Sequence, residues 1–298
     1  SCTQSNLGLE GRGMLDPFLK HRREQQAVHE RKVAGRRDSM ASLISVEINV
    51  MDACNRTCSF CPHADPKMYP NQPKWRMPLE TSRNIARQLA TMKSVCRVSF
   101  SGYGEPLMDR NVYQHVKTYR RFLPDNTIEM NTNGDALNVD RIQRLFTAGL
   151  TAIYVNLYDG PEQVGTFTRM FEEAGVGAYH LRPHFNEKDD WGLTLNNRSG
   201  LVNPLADPMA HRCHYPFYKM FIDWNGSVLF CANDWGRNII VGNVLGESIK
   251  DIWLSDKMKE IRLRLAVGDR SHHPCSGCDV DGTLHGEFSF AALMDYYG

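Results

Sequence analysis

Between Leu43 and Arg182, short β-branched runs take turns with helix-patterned segments, and that alternation restricts the fold more than any other feature of the chain. Strand-like runs fall near 43–50, 97–101, 127–131, 152–157 and 178–182, with helical composition at 79–94, 109–122, 138–149 and 161–174. Strands joined through helices run parallel, since only a crossover of a dozen or more residues returns the chain to the same end of a sheet. The expectation is an α/β fold: a partial (β/α)6 barrel of the TIM type, with a short sixth strand near 193–195. In such barrels the polar residues at the strand C-termini build the active site.

Two segments flank this pattern. Residues 1–42 are polar and carry a basic run from Lys20 to Arg37, read as a solvated helix ahead of the core. Residues 43–205 form the barrel, and 206–298 form a second unit. That unit opens on a hairpin around Asn225-Gly226, the strongest short-range hairpin signal. A long amphipathic helix over 248–266 comes after it.

The cysteines are grouped. Cys54, Cys58 and Cys61 stand at C-x3-C-x2-C spacing just after the first strand, where a barrel places its chemistry. A closed structural metal site normally takes four protein ligands. Three thiolates on a four-iron cubane leave one iron open, which turns a staple into a reaction centre. A zinc site completed by His63 is the bland alternative. Cys213, Cys231, Cys275 and Cys278 make a second set around the hairpin and the later helix, and Cys2 and Cys96 remain over. Alone, that set suits a zinc ribbon. No apolar run approaches the length of a membrane span, and no signal-peptide core opens the chain. With 35 Lys+Arg against 34 Asp+Glu, no global field favours nucleic acid or an anionic membrane. A cytoplasmic protein is expected, where grouped thiols ligate metal rather than pair.

The cysteine loop, its place after strand one and the βα pattern together resemble the radical S-adenosylmethionine superfamily, whose hallmark is C-x3-C-x-aromatic-C, with Phe60 in the aromatic slot. Gly102-Tyr103-Gly104-Glu105-Pro106 resembles the family's Gly-Gly-Glu-Pro turn for the methionine amino group, with Tyr103 in place of the commoner Gly. The resemblance implies a [4Fe-4S] cluster on Cys54, Cys58 and Cys61. It also implies S-adenosyl-L-methionine chelated at the open iron and cleaved by one electron to a hydrogen-abstracting radical. Asn131 or Asn133, Asn156 and Arg182 are candidates for its ribose and carboxylate. The second set, with Trp224-Asn-Gly and Cys231-Ala-Asn-Asp-Trp around it, resembles the Twitch form of the SPASM domain, which implies one auxiliary [4Fe-4S] cluster. Four thiolates would saturate that cluster and suit it to electron transfer.

The fate of the substrate radical distinguishes the remaining readings. Oxidation needs an electron acceptor, whereas epimerases of this family need a thiol hydrogen donor near the substrate. Cys96 precedes strand two, at the closed end of the barrel, so oxidation of a hydroxylated small molecule (a sugar, aminocyclitol or aminoglycoside) is favoured over epimerisation. The analogues are the 2-deoxy-scyllo-inosamine dehydrogenases and the neomycin epimerases. Arg198 is the candidate for holding the substrate hydroxyl. Asn233 stands where the dehydrogenases carry an acid, so an identical substrate is not expected. Modification of a ribosomal peptide ranks lower, since 42 residues are too few for the usual peptide-recognition domain. Six histidines, His180, His184, His211, His214, His272 and His273, are read as solvated or hydrogen-bonded rather than as bases. A flavodoxin or ferredoxin reductant is implied by the resemblance.

Overall fold

The computed structural model describes residues 17–34, 39–72, 75–184 and 196–298. Helix α1 (Pro17–Val33) precedes four strand–helix repeats and a fifth strand: β1 (Ser45–Ile48), α2 (Leu79–Thr91), β2 (Arg97–Phe100), α3 (Val112–Phe122), β3 (Ile128–Thr132), α4 (Val139–Thr147), β4 (Ala152–Leu157), α5 (Glu162–Ala174) and β5 (Tyr179–Pro183). A single turn α6 (Tyr215–Tyr218) leads into the hairpin β6 (Lys219–Ile222) and β7 (Ser227–Leu229), then β8 (Ile240–Asn243). Helices α7 (Ile249–Trp253), α8 (Asp256–Ala266) and α9 (Glu287–Tyr297) complete the chain. The expected sixth strand at 193–195 lies outside the described residues.

Strand order is β5-β4-β3-β2-β1-β6-β7-β8, with β1 to β6 parallel and β7 and β8 antiparallel. The partial barrel and the smaller C-terminal unit are therefore continuous through one sheet, because β6 pairs in register with β1 (Ser45 opposite Lys219). Residues of period two explain both faces. Val46, Ile48, Val98, Phe100, Ile128, Met130, Ile153, Val155, Met220 and Ile222 are buried beneath the helices. Each such side chain contributes about 1.5–3 kcal/mol on burial. Most intervening residues are polar, and Ser45, Glu47, Arg97, Ser99, Glu129, Asn131, Arg182 and Lys219 line the lumen. The barrel is hollow and wet-walled where a filled TIM core would be aliphatic.

Two expectations need correction. The 248–266 helix is broken into α7 and α8, because Ser255 accepts a hydrogen bond from Met258 N–H and starts a new helix rather than continuing the old one. Nor is α1 merely solvated. His29 and Val33 are buried, and Arg22 reaches into the lumen to donate to Glu129 at 2.8 and 3.1 Å. Arg97 Nε lies 3.1 Å from the same carboxylate, so two guanidinium groups close the floor of the barrel around one buried acid. Burial alone would raise the Glu129 carboxyl, but Arg22 and Arg97 hold it at about 2.

Glu129→Ala strands two buried cations and is expected to cost roughly 3–5 kcal/mol, read from the denaturant midpoint. The stabilisation from the ionised carboxylate is present above its ordinary value of 4.5 and is lost as pH falls toward about 2. The deficit of the variant should shrink over that interval, and a deficit that ignores pH contradicts the assignment.

Candidate functional site

Above the floor, at the C-terminal ends of the strands, a cavity of about 310 Å³ collects the residues singled out by sequence. Cys54, Cys58, Cys61 and Phe60 meet it from the loop after β1. Gly102, Tyr103, Gly104 and Glu105 meet it after β2, Asn131 and Asn133 around the end of β3, Asn156 on β4, Arg182 on β5, and Arg198 from the segment beyond β5.

The cysteine loop rests directly on the turn after β2. Glu105 N–H donates to Ala53 C=O at 2.8 Å, and a Cβ on Gly104 would overlap the carbonyl oxygen of Met51, so glycine is required there. Asn71 holds the loop's other side, accepting from Cys54 N–H and donating to Cys54 C=O. Arg56 ties it outward to Asp135 and Asp159, whose loops come after β3 and β4. The Glu105 carboxylate accepts from Leu107 N–H (3.0 Å), the Thr132 hydroxyl (2.7 Å) and Asn133 N–H (2.8 Å), bracing the third loop against the second. Asn133 then donates to Asn55 Oδ1 at 2.8 Å and approaches Cys54 Sγ at 3.7 Å.

The place of Tyr103 explains why it is not glycine. It is 1% exposed, its ring stacks on Phe221 and packs at a tilt on Trp235, each centroid 4.6 Å away, and its hydroxyl donates to Asp234 C=O at 2.7 Å. The Tyr103 carbonyl accepts from His63 Nε2 at 2.7 Å, so His63 is committed to this turn. One side chain thus pins the turn to the loop after Cys231.

Asn156 Nδ2 donates to Thr132 C=O, and its Oδ1 accepts from Arg182, which can only donate. The same oxygen is 3.1 Å from His184 Nε2, which must therefore carry the proton. Burial, then the charges of Arg182 and Arg198, push His184 down to about 3, so the ring is neutral. It stacks on Tyr158, which in turn packs on Phe60. Of the six histidines considered from sequence, His184 is the one lining the cavity. Arg198 is half-buried and forms no ion pair among the described residues. It donates to Asn196, lies 5.6 Å from the Trp235 ring, and has no carboxylate partner among the described residues.

Glu47, Arg56, Tyr158, Tyr215, Lys219 and Trp235 also line the cavity and escaped the sequence reading. Glu47 and Lys219 were visible as charges in the lumen phase of their strands, but that phase is defined only once β6 is paired with β1.

Cys213, Cys231, Cys275 and Cys278 line a second, apolar hollow with Phe230 and Leu265. Burial, then the charges of its fellow thiols, raise the Cys231 thiol well above its ordinary value. Four such groups ionise together only around a strong cationic centre. Asn233 N–H points at Cys231 Sγ (3.4 Å) and the Ser199 hydroxyl at Cys278 Sγ (3.7 Å), contacts that suit thiolates. Among the described residues no three His, Cys, Asp or Glu side chains converge as one metal ion requires. Thiolates on separate corners of a cubane stand further apart than those around one metal ion, so neither set needs to converge on a single point to hold an iron–sulfur cluster. Tyr215 and Asn233 line both hollows and form the wall between them. Cys96 is fully buried and does not line the cavity, and Cys2 lies outside the described residues.

Residues 48–175 match the radical SAM superfamily, and residues 213–279 match SPASM, an iron–sulfur cluster-binding domain. An S-adenosyl-L-methionine-dependent 2-deoxy-scyllo-inosamine dehydrogenase of Niallia circulans is 29% identical over 245 residues, 81% of this chain and 94% of that protein. A GTP 3',8-cyclase of Mycobacterium marinum is 29% identical over 271 residues, 86% of this chain and 69% of the cyclase. Among solved structures, BtrN in complex with AdoMet and 2-DOIA superposes with a TM-score of 0.71 at 26% identity, over 82% of this chain and 96% of that one. Native anSMEcpe with bound AdoMet shares the fold, with a TM-score of 0.54 at 14% identity over 85% and 96% of the two chains. No helix of the described residues is long and apolar enough to cross a membrane.

Burial pushes the Glu105 carboxyl up to about 7 against its three hydrogen bonds. Its contribution to stability is present below the ordinary 4.5 and is lost as pH rises through about 7. Glu105→Gln, which cannot ionise, should therefore gain on the parent in thermal midpoint between about pH 5 and about pH 8. A constant difference over that range would show that the carboxyl titrates normally.

Proposed function

We propose, on the premise that this chain is a radical S-adenosylmethionine protein with a SPASM-type cluster domain, that it oxidises a carbinol of a hydroxylated small molecule by two electrons. The relative's substrate, an aminocyclitol by its name, supports a sugar, aminocyclitol or aminoglycoside as the substrate class. The observation that carries the reading is the shared wall: the four-thiol hollow abuts the reaction cavity through Tyr215 and Asn233.

Residues 43–205 are assigned to the barrel and 206–298 to a Twitch-type unit. Cys54, Cys58 and Cys61 would hold the first [4Fe-4S] cluster, and Cys213, Cys231, Cys275 and Cys278 the auxiliary one. When bound, the cofactors supply hydrogen-atom abstraction from carbon and a one-electron acceptor. The chain's own residues do the positioning. Gly102, Tyr103, Gly104 and Glu105 form the cradle for the methionine end, with Asn131, Asn133, Asn156 and Arg182 around the ribose and carboxylate. Phe60, packed on Tyr158, fixes the cysteine loop's inner face. Arg198 donates to the carbinol oxygen and favours loss of its proton as the carbon is oxidised. A flavodoxin or ferredoxin supplies the priming electron. Epimerisation would need a thiol donor facing the cavity, and among the described residues the thiols that line it belong to the first ligand set.

Cys275→Ala is the direct test. Iron content should fall by about half, 5′-deoxyadenosine should still form with dithionite, and oxidised product should disappear. Full oxidation by that variant would remove the auxiliary cluster from the reaction, and absence of 5′-deoxyadenosine from the parent would end the enzyme reading. Arg198→Lys, which keeps the charge but loses the planar fork, should lower kcat/KM by roughly tenfold to a thousandfold with S-adenosylmethionine affinity unchanged.

A further inference from the structure

A second cavity of about 240 Å³ lies beneath the reaction cavity, between it and the double-arginine floor. Glu47, Ser101, Asn131, Arg182, Tyr215 and Lys219 line both cavities, so these six side chains form a polar layer across the lumen. Within it, Lys219 Nζ donates to Glu47 Oε2 at 2.7 Å, and the ammonium sits 5.6 Å from the Tyr215 ring centroid.

The lumen holds two ion pairs of different burial. Glu129 is saturated: it takes Arg22 on both oxygens, lies against Arg97 and is wholly shielded, as a structural pair should be. Glu47 and Lys219 share one hydrogen bond, keep 12% and 20% of their side chains exposed to the lumen, and show no other hydrogen-bonding partner among the described residues. One carboxylate oxygen and two ammonium protons therefore remain to be satisfied, which is costly unless a ligand or water completes them. Their separation matches that of two gauche vicinal oxygens. A ring bearing adjacent hydroxyls can then donate from one to Glu47 and accept on the other from Lys219, with an apolar ring face against Tyr215.

We propose that Glu47 and Lys219 are the specificity-determining pair of this site and that they read a vicinal diol of the substrate ring in the barrel lumen. This rests on the oxidation reading only for the identity of the ligand as substrate. Ser101, just past the end of β2, extends the contacts to a further hydroxyl. Asn233, the polar group on the opposite wall, carries no charge and donates to Cys231 Sγ, so the recognition falls to the layer below.

The test measures binding without turnover, on the cluster-loaded protein with S-adenosylmethionine present. The probes are cis-cyclohexane-1,2-diol and cyclohexanol, tracked by ligand-observed NMR titration. The diol should bind at least about tenfold tighter than the mono-ol to the parent protein. Glu47→Gln and Lys219→Gln should each erase that preference while retaining iron content and S-adenosylmethionine binding. Equal affinity of the parent for the two alcohols overturns the proposal, as does a preference that both variants keep. Because the ligand-side comparison needs no variant, a misfolded mutant leaves the question answerable. A diol preference without any oxidised product would defeat the proposed reaction and leave the diol site standing.

Discussion

The contact of the cysteine loop with the turn after β2 is the constraint on which the rest of the site depends. Backbone meets backbone there: Glu105 N–H on Ala53 C=O, with Gly104 leaving no room for a side chain. This seats the three thiols beside the turn that would cradle the methionine end, before any cofactor arrives. Glu105 then carries the order outward to β3 through Thr132 and Asn133, and Asn156 carries it to β5 through Arg182 and His184. The cavity is preorganised by a chain of short contacts rather than by the cofactor alone.

Around that contact the barrel is arranged for a polar guest. Its outward residues build the hydrophobic core, while its inward ones leave a hollow closed below by Arg22, Arg97 and Glu129. The C-terminal unit is fastened to this frame at two depths. Tyr103 locks the turn to the loop after Cys231, and Trp253, with the Arg262 guanidinium 4.1 Å from its ring centroid, donates to Ser42 ahead of β1. These anchors hold the second thiol set against the frame that carries the first.

Much of this was legible from residues alone. Period-two strands between helix-patterned segments pointed to a parallel sheet, and each candidate from Cys54 to Arg198 in the first site reached one cavity. The hidden part was set by long-range pairing. Lys219 faces Glu47 only because β6 docks beside β1, and Arg22 becomes a floor only because α1 folds under β3. Tyr103 looked like a departure from a motif because its partners, Phe221 and Trp235, lie more than a hundred residues away. The break at Ser255 was readable as a cap and was overridden by the amphipathic pattern on either side.

The central claim is that hydrogen abstraction here ends in electron loss rather than hydrogen return. Product mass after turnover in deuterated water decides between them most directly. The account predicts a product two mass units lighter than substrate, with no deuterium at carbon and about one 5′-deoxyadenosine per turnover. A product carrying one carbon-bound deuterium, with its carbinol intact, would contradict it.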